Sequence, residues 1–166
     1  YLHAGHFDKL YMPTKFESSF IELDGKNDKF LLQPNDVILA GKGHRTFAWA
    51  YNADFGRAIP SSLFFIIRAK ASKVLGAYLA QYLNSEKIQY SLKLIGAGAT
   101  ITSIPKKELE EIDVVIPSMD EQKKIVEFIE LLDEDLRLTQ DLLKKRAALK
   151  KGFINKLISN QNKMKT

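Results

Sequence analysis

Apolar residues in the first hundred or so positions come in short runs between turn formers, and after Ser118 they change to a helical repeat. Residues 19–23 alternate loosely and are followed by the turn-rich Asp24-Gly25-Lys26-Asn27-Asp28. Leu31-Leu32-Gln33-Pro34-Asn35-Asp36 passes through a proline-marked turn into Val37-Ile38-Leu39-Ala40, which predicts a buried strand. Gly41-Lys42-Gly43-His44-Arg45 breaks that strand, Phe47-Ala48-Trp49-Ala50-Tyr51 resumes extended structure, and residues 63–67 form the most strand-like run of all. Tyr78, Leu79, Tyr82 and Leu83 repeat at helical spacing, as do Ile88, Leu92 and Ile95, so two helices are predicted there. Gly96-Ala97-Gly98-Ala99-Thr100 is a loop, and Pro105 suits the first position of a short helix through Leu109. Val114-Val115-Ile116 is expected to be a last buried strand, closed by Pro117. The class is mixed α+β with short strands.

From Ser118 onward the pattern is that of one long helix. Ser118-Met119-Asp120-Glu121 fits a capping box, and Ile125, Phe128, Ile129, Leu132, Leu136, Leu143, Phe153 and Leu157 recur among charged residues. No proline interrupts this stretch, and Gly152 is a candidate kink. Forty helical residues would be roughly 60 Å long, more than so small a domain can cover, so a partner is expected. The row is not a strict heptad seam, since Thr139 and Arg146 fall where apolar residues belong. Two regions follow: a globular domain over 1–117 and a helix over 118–166.

Charge sharpens this division. Asp120 to Asp141 holds eight acidic residues and three basic ones, whereas Leu142 to Thr166 holds eight basic residues and no acidic one. That gradient suits the helix dipole, and it suits antiparallel pairing with a second copy or a similar helix, where opposite signs meet. Within the domain, Val37 to Lys107 carries ten basic residues against Asp54 and Glu86, so its middle is a possible phosphate-facing surface or simply a solvated face. Among 166 residues, 45% hydrophobic and 27% charged, disorder as the dominant state is excluded. The longest apolar runs are too short for a bilayer span and there is no cysteine, which makes the cytoplasm the default compartment. The chain opens on Tyr1 rather than Met, and a segment upstream is expected.

Catalytic patterns are few. Gly41-Lys42-Gly43 lacks P-loop spacing, and Gly96-Ala97-Gly98 lacks the third glycine of a dinucleotide fingerprint. His3, His6 and Asp8 stand at a spacing that rarely means a metal site. Glu121 and Lys123 have the Glu-x-Lys spacing of metal-dependent nucleases, but they fall in a helix's first turn, where Glu121 has a capping role. The sequence reads as non-catalytic, with no metal and no cofactor. Lys42, His44, Arg45 and Arg57, in or beside loops, and Lys93 and Thr100, around the glycine loop, are the candidates for contact with duplex DNA; Trp49 and Tyr51 read as half-buried strand residues.

The order of motifs resembles one family. Leu32-Gln33-Pro34-Asn35-Asp36-Val37-Ile38-Leu39-Ala40-Gly41-Lys42-Gly43, Pro60-Ser61-Ser62-Leu63-Phe64-Phe65-Ile66-Ile67-Arg68 and Tyr78-Leu79-Ala80-Gln81-Tyr82-Leu83-Asn84-Ser85 follow one another as in specificity subunits of type I restriction–modification systems. Gly98 with Ile104 and Leu109 continues that pattern, and Ile112-Asp113-Val114-Val115-Ile116-Pro117 with Glu121-Gln122-Lys123-Lys124-Ile125 resembles the start of that family's spacer helix. Asn35 stands where a turn glycine is usual, and the expected opening strand and turn are missing. The resemblance implies a target-recognition domain plus one spacer helix, half of a plan in which two domains read a bipartite sequence and two helices pair antiparallel. It also implies methyltransferase and restriction subunits as partners, the former docked on the helix, with S-adenosylmethionine and ATP chemistry left to them. Ile125, Ile129, Leu132, Leu136, Leu143 and Leu157 are expected to face the partner helix. The alternatives are an assembly module that binds only protein and a nuclease using Glu121 and Lys123.

Overall fold

Asp36–Ala40 (β1) is buried at all five positions because both of its faces are covered. Side chains alternate along a strand, so Val37 and Leu39 enter one core while Ile38 and Ala40 enter another. The structure, a computed structural model, describes residues 1–8, 10–14, 25–95 and 102–163. Of the sequence expectations, the loose alternation at 19–23, the loop at 96–100 and Thr100 lie outside those residues. The chain divides into two compact units, Tyr1–Val126 and Glu127–Thr166.

In the first unit β1 is the centre of a three-stranded antiparallel sheet, between Ala48–Ala50 (β3) and Phe64–Arg68 (β4). Val37 faces Ala50 and Ile67, and Ala40 faces Phe64. Lys42–Gly43 (β2) pairs separately with Thr102–Ser103 (β5). Gly76–Asn84 (α1), Glu86–Ile95 (α2) and the short Lys106–Glu110 (α3) complete the unit, and Met119–Lys163 (α4) starts within it. One core places Tyr78, Leu79, Leu83, Ile88, Leu92 and Ile104 over Val37 and Leu39. The other is aromatic: Phe7 lies 5.0 Å from Phe47 and 5.5 Å from Trp49, and Tyr11 stacks on Phe47 at 5.1 Å. The α+β reading holds, and β1, β3, β4, α1 and α2 fall where the pattern puts them.

The Asp36 end of the sheet is tied by side chains. Asn35 adopts φ 74°, the left-handed region that favours glycine and admits asparagine. Its amide then does more than glycine could: Oδ1 accepts from Gly76 N at 2.6 Å, and Nδ2 donates to the carbonyls of Ala69 and Val74. Gly76 is required in turn, since a Cβ there would lie 2.7 Å from the Asn35 carbonyl oxygen. The buried Asp36 accepts from Gln33 N and faces Arg68 Nε at 3.4 Å, while Arg68 also donates to the carbonyls of Lys29 and Leu31. At the Ala40 end, Asn84 pairs with both backbone groups of Ala48, accepting from its N–H at 2.7 Å and donating to its carbonyl at 2.8 Å. That side chain satisfies one position of the outer edge of β3.

Two expectations change. Pro105 sits at the N-cap with ψ 137°, so the helix begins at Lys106, one residue later than expected. The apolar run Val114-Val115-Ile116 is not a buried strand: Val115 is 66% exposed and Ile116 52%, and no strand among the described residues pairs with it. Its backbone is held instead by α1, with Tyr82 Oη donating to the Asp113 carbonyl at 3.2 Å and Tyr78 Oη to the Val115 carbonyl at 2.8 Å. The segment therefore runs antiparallel to α1, and only Ile112 and Val114 reach the core.

The predicted capping box forms: Glu121 accepts from Ser118 N at 3.0 Å and from Ser118 Oγ at 2.6 Å, and Ser118 Oγ accepts from Glu121 N at 3.4 Å. The α4 helix continues through Gly152. Beside the box, Gln122 is fully buried; its Oε1 accepts from Leu75 N at 2.9 Å, and its Nε2 donates to the carbonyls of Lys73 and Pro117 at 2.9 and 3.0 Å. Gln122→Ala leaves three part-buried backbone groups without this partner and is expected to cost about 2–3 kcal/mol. Gln122→Glu, which keeps the shape but loses both donors, should cost at least as much. Urea unfolding of both variants tests this, and an unchanged midpoint would remove Gln122 from the account of the fold.

Candidate nucleic-acid interface

The register of the sheet decides which candidate residues come together. β1 runs towards Ala40 and is followed by Lys42 and His44, both exposed, with Gly43 of β2 between them at φ 120°, a conformation that an ordinary side chain would strain. β3 runs the opposite way and ends at Ala50, after which Tyr51 N donates to the Asp36 carbonyl. Arg57, which follows β3, thus lies beyond the Asp36 end, and Lys42 and His44 lie beyond the other. Five strand residues separate the two ends by about 13 Å. The structure does not gather these four basic candidates into one site.

Arg57 sits on a tightly built turn. Asn52 Oδ1 accepts from Asp54 N at 3.1 Å, Gly56 takes φ 74°, and Tyr51 Oη donates to the Gly56 carbonyl at 2.8 Å. Arg45 has a different task. Its guanidinium donates to the carbonyls of Ala4, Phe7 and Asp8 at 2.9–3.0 Å and lies 5.4 Å from the Phe47 ring. It closes the N-terminal turn over the aromatic core. Lys42, His44, Arg57 and Lys93 are exposed, and among the described residues none has a side-chain hydrogen bond or ion pair. Trp49 and Tyr51 are buried in the core, so they are not available to stack on bases.

Lys93 stands near the C-terminal end of α2. Helix α2 begins two residues after Asn84, which is pinned to Ala48 at the Ala40 end, and from Thr102 the chain forms β5, paired to β2. Residues with catalytic spacing are otherwise employed. Glu121 is engaged by Ser118, whose side-chain and then backbone hydrogen bonds hold its carboxyl below the ordinary range. His6 Nδ1 accepts from His3 N, and Asp8 Oδ1 accepts from Leu10 N and Met12 N. Among the described residues, no group of three metal-ligating side chains could hold an ion.

Of the expected helix-facing residues, Leu132, Leu136, Leu143 and Leu157 are 46–60% exposed, and Ile129 is partly exposed; Ile125, on the part of α4 inside the first unit, is 38% exposed. At 100° per residue these fall in one row, while Glu134, Arg137, Asp141 and Lys144 occupy the opposite side, joined as Glu134–Arg137 and Asp141–Lys144 ion pairs. A second row was not anticipated: Leu131, Leu138, Leu142 and Leu149, 48–74% exposed, stand roughly 120° from the first. Their spacings of seven and four are visible in the sequence once α4 is known to be continuous.

Residues 8–146 match the family described as the type I restriction modification DNA specificity domain. The chain belongs to that family. Over 102 residues it is also 28% identical to a protein of Methanocaldococcus jannaschii named as type I restriction enzyme MjaX specificity subunit, a stretch covering 60% of this chain and 23% of that relative. The chain therefore corresponds to less than a quarter of the relative's length. In this specificity domain the motif residues Asn35, Asn84 and Gln122 are structural. No described helix is long and apolar enough to cross a membrane.

Because Arg45 holds three carbonyls, Arg45→Ala is expected to lower stability by about 1–2 kcal/mol. Lys42→Ala, with no partner to lose, should change it by less than about 0.5 kcal/mol. Thermal or urea unfolding distinguishes the two, and equal effects would refute the assignment of Arg45 to the fold.

Proposed function

We propose that this specificity domain reads one half of a bipartite duplex DNA target within a type I restriction–modification complex, and that it is itself non-catalytic. The observation that carries the reading is the placing of Lys42 and His44, both exposed and without a partner among the described residues, beyond the Ala40 end of the sheet, beside Gly43, whose φ of 120° leaves backbone free to approach a phosphate; Lys93, exposed on α2, is assigned to the same surface. Thr100, which lies between Lys93 and β5 in the sequence, is assigned to the same surface. Arg57, at the other end, is given a separate phosphate contact. Methylation and cleavage belong to methyltransferase and restriction subunits, the former docked on α4, and the work is done in the cytoplasm, where the DNA is.

The row Ile125, Ile129, Leu132, Leu136, Leu143 and Leu157 is assigned to an antiparallel partner helix, from a second copy or from a second half of the same subunit. Support comes from its exposure and from the acidic-then-basic gradient, which places opposite charges together only in the antiparallel arrangement.

Duplex binding by this chain should be salt-dependent. Three phosphate contacts imply a loss of affinity of roughly 40-fold between 50 and 200 mM salt. A flat response would favour a module that binds only protein. For the helix, Leu136→Asp is expected to lower the oligomer mass in light scattering while the domain stays folded, and an unchanged mass would exclude this pairing face.

A further inference from the structure

The outer side of α2 carries chemistry that the fold does not use. Ile88 and Leu92 are buried, and at 100° per residue Tyr90 points directly away from them. Tyr90 is 65% exposed and Leu94, one turn on, is 59% exposed. Lys87 and Lys93 flank Tyr90 three residues away on either side, both exposed. The one acidic residue of α2, Glu86, lies in its first turn, where it complements the helix dipole. Two lysines around an exposed ring make a poor protein interface, because lysine is depleted there, and a good phosphate-facing surface. The position agrees, since the start of α2 follows Asn84, which is tied at Ala48 to the end of the sheet that bears Lys42 and His44.

We infer that α2 is the element that enters the DNA groove, with Tyr90 against base edges, Leu94 on apolar groove surface, and Lys87 and Lys93 on the phosphates at either side. This rests on the function proposed above and adds a reading element to it. Ten helical residues span about 15 Å, and the major groove, about 12 Å wide, admits a helix. Tyr90 then carries sequence preference, and the two lysines carry affinity without preference.

The test uses the full chain and a pool of random-sequence duplexes, from which the wild type selects its preferred sequences. Tyr90→Ala, at so exposed a position, is expected to leave the unfolding midpoint unchanged. It should bind the selected duplexes roughly tenfold more weakly while losing less than about twofold on unselected ones. Lys87→Gln and Lys93→Gln should weaken both alike, each lowering the slope of log affinity against log salt by about one. If the wild type binds duplexes with steep salt dependence but Tyr90→Ala keeps its preference and Lys87→Gln its slope, α2 is not the reading element and the proposed function stands. If the wild type selects and binds no duplex at all, the function and this inference fall together.

Discussion

One buried amide joins three parts of the first unit. Gln122 has no access to water, and its donors and acceptor are spent on the backbone at Lys73, Leu75 and Pro117. These are the turn before α1, the first residue ahead of α1, and the residue that closes the irregular segment after α3. A buried primary amide without partners is costly, whereas one with three is a strong local constraint. The start of α4 is therefore specified by hydrogen-bond geometry as well as by the capping box, and an apolar residue at this position would leave the same three backbone groups unanswered.

The same device recurs. Asn35 binds the backbone at Ala69, Val74 and Gly76, Asn84 binds both sides of Ala48, and Arg68 and Arg45 clamp carbonyls of the loops beside them. Short strands with irregular connections leave many backbone groups outside any ladder, and each buried one needs a partner. Amide and guanidinium side chains supply those partners here. This explains why the most distinctive motif residues of the chain are internal ties, and why the residues free to meet another molecule are the less distinctive lysines and histidine around them.

That division also explains what could be read in advance. β1, β3, β4, α1, α2 and the Ser118–Glu121 box follow from patterns within a dozen residues, where period and turn chemistry act locally. The segment 112–117 misled because Val114, Val115 and Ile116 look like a strand; its backbone partners are tyrosines thirty-odd positions away, and no local period encodes them. Arg45 was legible as an exposed cation, and only the return of residues 4–8 across the aromatic core shows where its donors go. The wheel position of Leu131, Leu138, Leu142 and Leu149 needed nothing but continuity of the helix, yet a search for a single seam passes over them.

The two apolar rows of α4 bear on how a small reading surface could suffice. A seam for one partner helix occupies about 100° of circumference, and rows 120° apart exceed it, so a pair of such helices would still expose one row of each. On the proposed reading, that remaining row is the surface left for a methyltransferase subunit. A few loop and helix contacts from one domain give modest affinity, and most of it is independent of sequence. Two domains held by a stiff helical pair would bind the second half-site at the effective concentration set by the first, provided that the half-site spacing matches the rod. A helix suits this better than a flexible linker, because a fixed length rejects targets with the wrong gap as well as favouring those with the right one. On the proposed reading, discrimination would then be shared between the basic residues at the Ala40 end, which would hold the duplex, and the length of α4, which would measure it.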